Sequence, residues 1–370
     1  MNSSREGDQI DDFELDYVEM YVQELESQAA VWRDRFGFDE VAVGGSPEQG
    51  FRSVVLCQGA MKLVLTQATA EYHPAAAYVL AHGDGVANIA LRTGDVPAAF
   101  AQVVVNGGRA LAVPERHEGG DVAVSATVTG FGDVVHTLVQ RRDPGGAGLP
   151  QGYRRLPTRT EPAASGDGDG LRLLAVDHFA VCVGAGELEP TVDFYGAALG
   201  FREIFAERIA VGSQAMLSKV LQSPSGTVTF TVLQPDPAVG AGQIDGFLKE
   251  HGGPGVQHIA FATEDAVRSV GTLIGRGVEF LVTPSAYYGL LADRVMPTKH
   301  ALDDLRRLNI LVDEDHAGQL FQIFTRSTHA RRTLFFEVIE RSGAETFGSS
   351  NIRALYEAVE LEHLAKTGDR

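Results

Sequence analysis

The chain has 370 residues, more than one hydrophobic core comfortably organises, so two domains are expected. With 44% hydrophobic and 22% charged residues it has the composition of an ordinary globular protein. Its formal net charge of −18, with no offsetting Lys/Arg cluster, argues against nucleic acid and anionic membrane as partners.

The opening stretch, MNSSREGDQIDDFELDY, is polar and acidic and lacks the basic start and apolar middle of a secretory signal. No apolar run is long enough to span a bilayer as a helix. Cys57 and Cys182 lie far apart in apolar, strand-like runs and read as buried thiols. A cytoplasmic enzyme is the expectation.

Phe13–Val22 alternates like a strand, and Glu24–Phe36 reads as an amphipathic helix with Ala29, Ala30, Trp32 and Phe36 toward a core. After a turn at Gly37 come strand candidates at Val41–Val43, Phe51–Gln58 and Met61–Gln67, completing one βαβββ unit. A second unit starts at Gly85–Leu91, continues through a helix over Val96–Asn106 that stops at Gly107–Gly108, and closes on VVHTLVQRR. Residues 143–170 are dominated by Gly, Pro and small polar residues and read as a linker. Residues 1–150 and 171–370 are the two expected domains.

The second domain repeats the first. LDYVEMYV from Leu15 aligns with VDHFAVCV from Val176, GVANIAL from Gly85 with GVQHIAF from Gly255, and VHTLVQR from Val135 with FFEVIER from Phe335. In this register His178, His258 and Glu337 are matched by Tyr17, Asn88 and Thr137. The same strand positions thus serve the fold in one domain and carry two imidazoles and a carboxylate in the other. That ligand set suits non-haem Fe(II) and leaves coordination positions open. Strand alternation groups His178 with Val176, Ala180 and Cys182, and His258 with Val256, Ala260 and Ala262, whose small members leave room for a ligand. Glu337 shares its face with Phe335 and Ile339, where an unpaired carboxylate would be costly; a cation, or an arginine such as Arg341, has to compensate it.

The paired units resemble the vicinal oxygen chelate fold. The second half resembles the 2-oxoacid-dependent dioxygenases that act on 4-hydroxyphenylpyruvate, through GVQHIAF, Tyr287–Tyr288 after Pro284, ILVDEDHAGQLFQIFT, FFEVIER and FGSSNIRALYEAVE. The resemblance covers essentially the whole chain. It implies an α+β architecture of two similar domains, each of two βαβββ modules forming an open barrel, with a C-terminal helix over Ser350–Leu364 covering the site. It also implies Fe(II) held by His178, His258 and Glu337, with 4-hydroxyphenylpyruvate and O2 as the small-molecule substrates. Gln243, Gln257, Gln322 and Ser218 fall on polar positions of the substrate pocket, Phe324, Phe335 and Phe347 on aromatic ones, and Asn351 on an asparagine at the start of that helix.

The family has two product branches, homogentisate and 4-hydroxymandelate. The homogentisate branch carries proline, asparagine and phenylalanine where this chain has Thr231, Leu233 and Ile352; the mandelate branch resembles this chain at those points. Benzylic hydroxylation to 4-hydroxymandelate with loss of CO2 is therefore expected, with homogentisate formation the alternative. A metal-free binding module of the same fold would have no reason to place His, His and Glu in one domain only. A Zn or Ni isomerase or hydrolase would draw on a fuller ligand set. The sequence leaves open whether the chain forms a homo-oligomer.

Overall fold

The computed structural model describes residues 12–146, 148–157, 171–212 and 214–353. One sheet lies in each half. The first comprises β1 (Glu14–Tyr21), β2 (Asp39–Gly44), β3 (Phe51–Gln58), β4 (Met61–Ala68), β5 (Gly85–Arg92), β6 (Ala110–Arg116), β7 (Val122–Thr129), β8 (Val135–Arg141) and β9 (Arg154–Arg155), in the spatial order β6-β7-β8-β5-β1-β4-β3-β2-β9. The second comprises β10 (Leu173–Cys182), β11 (Arg202–Val211), β12 (Gln214–Gln222), β13 (Thr229–Pro235), β14 (Gly255–Thr263), β15 (Leu311–Glu314), β16 (Gln319–Phe324) and β17 (Phe335–Ser342), in the order β11-β12-β13-β10-β14-β17-β16-β15. Read from its other edge, the second order repeats the first strand for strand, without β9. The sequence repeat is thus a topological repeat.

The helices are α1 (Leu25–Ala30), α2 (Pro74–His82), α3 (Val96–Val105), α4 (Leu188–Leu199), α5 (Gln243–His251), α6 (Ala266–Gly275), α7 (Ser285–Arg294) and α8 (Leu302–Arg307). The expected helix over Glu24–Phe36 divides: α1 gives way to a π-helical turn at Val31–Arg35, which still buries Trp32. At α3 the Asp95 side chain accepts the Ala98 N–H, capping the first turn. Gly200 ends α4 in the left-handed conformation, at φ 67°, that glycine adopts without steric cost. Residues 349–353 are helical; the remainder of the expected Ser350–Leu364 helix lies outside the described residues.

The linker reading needs correction over its first part. Arg154–Arg155 pair with Ala42 and Val43, Leu149 is buried, and the Tyr153 hydroxyl meets Ser53 Oγ at 2.8 Å. These few anchors are spaced too irregularly among Gly and Pro to show as periodicity. Residues 158–170 lie outside the described residues.

The main hydrophobic core runs through both halves. Trp32 meets Phe261 and Phe336 edge-on, with ring centroids 5.9 and 4.8 Å apart. Phe336 immediately precedes Glu337, so alternation along β17 fixes one face against the first half and turns the next residue the other way. A second seam joins His136 of β8 to Tyr195 of α4, beside Phe131 and Phe230.

Candidate metal centre and its cavity

Three neighbouring strands of the second sheet, β10, β14 and β17, bring His178, His258 and Glu337 together. In the ladders Ala260 sits opposite both His178 and Glu337, while His258 sits opposite Ala180. A methyl group between the first two ligands leaves their side chains free to converge. His178 Nε2 and His258 Nε2 lie 3.5 and 3.3 Å from Glu337 Oε2, and the three candidate ligand atoms are all within 4.8 Å of one another.

The alternation expected around the histidines is interrupted. The β10/β14 ladder slips between Val176 and His178 and again between Ala180 and Val181, so Asp177 and Gln257 are each an extra residue immediately before a histidine. Such bulges re-aim side chains. Val176 and Val256 consequently pack with the main core instead of sharing the histidines' face, whereas Ala180 and Cys182 keep to the other side. Asp177 Oδ1 accepts from His178 Nδ1 at 2.8 Å, and Gln257 Oε1 lies 3.3 Å from His258 Nδ1. Both contacts leave Nε2 as the free ring nitrogen.

Arg341 does not pair with Glu337. It donates from Nε and Nη2 to Asp177 at 2.8 and 2.9 Å, and its guanidinium covers the Phe347 ring. Burial opposes ionisation of Asp177, but hydrogen bonds from Arg341 and then His178 hold its carboxyl well below the usual range. Glu337, 2% exposed, has no Lys or Arg ion pair among the described residues. Burial pushes the His258 imidazole down, against the pull of Glu337, which favours the neutral ligand form. A buried carboxylate beside two imidazoles is short of positive charge, and a divalent cation fits it.

The first half answers with a closed network. Asn88 Nδ2 donates to Thr137 Oγ1 at 2.8 Å, Thr137 N donates to Asn88 Oδ1 at 3.0 Å, and Glu19 accepts from Thr66 Oγ1 at 2.7 Å. A second candidate cluster, Asp265, His300 and Glu340, already has its cation, with Lys299 Nζ 2.6 Å from Glu340.

The triad opens into a cavity of about 340 Å³. Every residue expected at the site lines it: Ser218 on β12, Thr231 and Leu233 on β13, Gln243 at the start of α5, Gln257 on β14, Gln322 and Phe324 on β16, Phe335 on β17, and Phe347, Asn351 and Ile352 in the C-terminal segment. His258 stacks on Phe335 at 5.0 Å, and Phe347 meets His178 edge-on at 5.2 Å. Asn351 Oδ1 accepts from Tyr287 Oη at 2.7 Å and from Arg294 at 3.2 Å, which accounts for Tyr287 in the recognised motif. Gln322 Oε1, Thr231 Oγ1 and Asn351 Nδ2 are buried with no hydrogen-bond partner, capacity that a polar ligand can satisfy. Sequence reasoning missed Phe205, Glu207, Ile209, Met216, Ile244, Leu281, Leu311 and Ser349, which complete the wall. Of these, Phe205, Glu207 and Ile209 follow period-two spacing on one strand, a signal available in the sequence.

The Glyoxalase/Bleomycin resistance protein/Dioxygenase superfamily model matches residues 14–148 and 175–323. The chain is 31% identical to a 4-hydroxyphenylpyruvate dioxygenase of Yarrowia lipolytica, over 96% of this chain and 93% of the relative. It is 33% identical to a 4-hydroxyphenylpyruvate dioxygenase of Aspergillus fumigatus, over 94% and 92% respectively. Among solved structures, a mutant of 4-hydroxymandelate synthase from Streptomyces coelicolor superposes with a TM-score of 0.82 at 43% identity, covering 96% of this chain and all of that one.

Proposed function

From a chain that belongs to the 4-hydroxyphenylpyruvate dioxygenase family of the glyoxalase/bleomycin resistance protein/dioxygenase superfamily, we propose an Fe(II)-dependent enzyme that converts 4-hydroxyphenylpyruvate and O2 to 4-hydroxymandelate and CO2. The observation that carries this is a buried 2-His-1-carboxylate set at the base of a mostly apolar cavity, with Thr231, Leu233 and Ile352 on its wall. The 43% identity to a 4-hydroxymandelate synthase, against 31–33% to relatives named dioxygenases, supports the mandelate branch.

His178, His258 and Glu337 would hold the metal. Bound Fe(II) supplies two-point chelation of a 2-oxoacid and couples its oxidative decarboxylation to oxygenation of the remaining acid. The residues around it handle the organic part. Phe335 and Phe324 flank the histidine ring of His258, and with Phe347 they exclude water from the reacting end. Gln322 and Asn351 offer polar atoms to the bound molecule. Ile352 and Leu233 present aliphatic groups to the ring, setting which carbon lies nearest the metal. A hundredfold choice between products needs only about 2.7 kcal/mol between barriers, within the reach of such packing.

Chromatography of products from 4-hydroxyphenylpyruvate under air tests the branch. 4-Hydroxymandelate is the expected main product; homogentisate in its place overturns the assignment.

A further inference from the structure

Among the described residues, one charged side chain of the cavity wall is not used by the metal chemistry. Glu207 lies on the edge strand β11, three strands from the β10 histidine, and its side chain is 18% exposed. One carboxylate oxygen, Oε1, is ion-paired with Arg353 of the C-terminal segment. The other, Oε2, is buried with no hydrogen-bond partner. Around it the wall is apolar: Phe205 and Ile209 flank it on β11, Met216 faces Ile209 across the ladder, and Ile352 adjoins Arg353. Directly opposite Glu207 on β12 is Ser218, also on the cavity wall.

An ionised carboxylate only accepts hydrogen bonds, and leaving one of its oxygens buried and unpaired is costly. The group that resolves this is a donor entering the cavity. Of the proposed substrate's polar groups, the 2-oxo and carboxylate oxygens accept and belong at the metal. The ring hydroxyl, with an ordinary phenol pKa of about 10, arrives protonated and able to donate. It lies at the end of the molecule away from the chelating oxygens, and Glu207 lines the same cavity as the triad from a different strand.

We propose that Glu207 is the specificity residue for the ring: Oε2 accepts the 4-hydroxyl of the arylpyruvate, while the Arg353 pair on Oε1 helps to hold the side chain in place. This rests on the substrate class proposed above and extends it to discrimination against unsubstituted phenylpyruvate. A hydrogen bond to a charged acceptor corresponds to roughly a tenfold to hundredfold preference.

The test is anaerobic calorimetric titration of the iron-loaded protein with 4-hydroxyphenylpyruvate and with phenylpyruvate, which reads binding without turnover. Wild type should bind the hydroxylated acid roughly ten- to a hundredfold more tightly. Glu207→Met, similar in length but apolar, should remove the preference, and Glu207→Gln, which keeps an uncharged acceptor, should retain part of it. Arg353→Gln, which removes the pair on Oε1, should lower the preference without abolishing it. Tight binding of both acids with a ratio that Glu207→Met does not change would overturn this proposal alone. If neither acid binds wild type and no oxygen is consumed under air, the substrate reading fails and this proposal with it.

Discussion

Asp177→Asn is the sharpest probe of how the metal centre is held. Asp177 accepts from His178 Nδ1 at 2.8 Å and receives two hydrogen bonds from Arg341, which itself reaches the Thr346 carbonyl at 2.6 Å beside Phe347. The carboxylate therefore does two things: it fixes the tautomer that leaves Nε2 free, and it holds the ring in the orientation a metal needs. Asparagine keeps the shape and one acceptor but removes the charge. Loss of such an orienting partner lowers metal affinity about ten- to a hundredfold, or about 1.4–2.7 kcal/mol. Anaerobic titration of metal-free protein with Fe(II) reads this directly, and oxygen uptake at saturating iron should recover in large part because all three ligands remain. Unaltered Fe(II) affinity in a folded variant would refute the role assigned to Asp177.

Gln322→Ala should lower kcat/KM for 4-hydroxyphenylpyruvate by about tenfold or more while leaving iron content unchanged, since Gln322 offers an unpaired polar atom to the cavity and is not among the ligands. Ile352→Phe should divert part of the product toward homogentisate or another ring-oxidised compound; a mandelate-only profile would clear Ile352 and point to Thr231 and Leu233. His136 gives a stability prediction. It is fully buried, its Nδ1 facing the Ile89 carbonyl and its Nε2 facing the Tyr195 hydroxyl, and burial pushes it down to about 4. The unfolded chain binds the proton more readily, so this stability is present above the ordinary value near 6.5 and is lost as pH falls from there toward 4. In urea unfolding, the stability gap between wild type and His136→Gln should narrow by about 2 kcal/mol from ~pH 7 to ~pH 5, and parallel curves would contradict it.

Much of this was legible because the chain carries its own control. Tyr17, Asn88 and Thr137 occupy the strand positions of His178, His258 and Glu337, and the matching ladders confirm that register: Tyr17 opposes Ala90 as His178 opposes Ala260. What alternation could not convey is where the ladder slips. Asp177 and Gln257 reach the histidines only because each is a bulged residue, a property of pairing between strands distant in sequence. Arg341 was weighed as a partner for Glu337, with which it shares a strand; its pairing with Asp177 depends on that bulge. α2 was missed because PAAAYVLAH has little apolar contrast between its faces, and only a Pro in its first turn and the capping side chain of His73 mark its start. Glu207 is not among the residues that the sequence singles out; its meaning comes from the cavity that it lines.

The central claim is that one buried triad in the second half makes this chain an iron-dependent arylpyruvate oxygenase. Oxygen uptake with 4-hydroxyphenylpyruvate, measured alongside bound iron for wild type, His178→Ala, His258→Ala and Glu337→Ala, tests it most directly. Wild type should consume oxygen only with iron and the 2-oxoacid both present, and each variant should fold, fail to retain iron and lose uptake. Substantial iron-dependent uptake in any of the three would contradict the account.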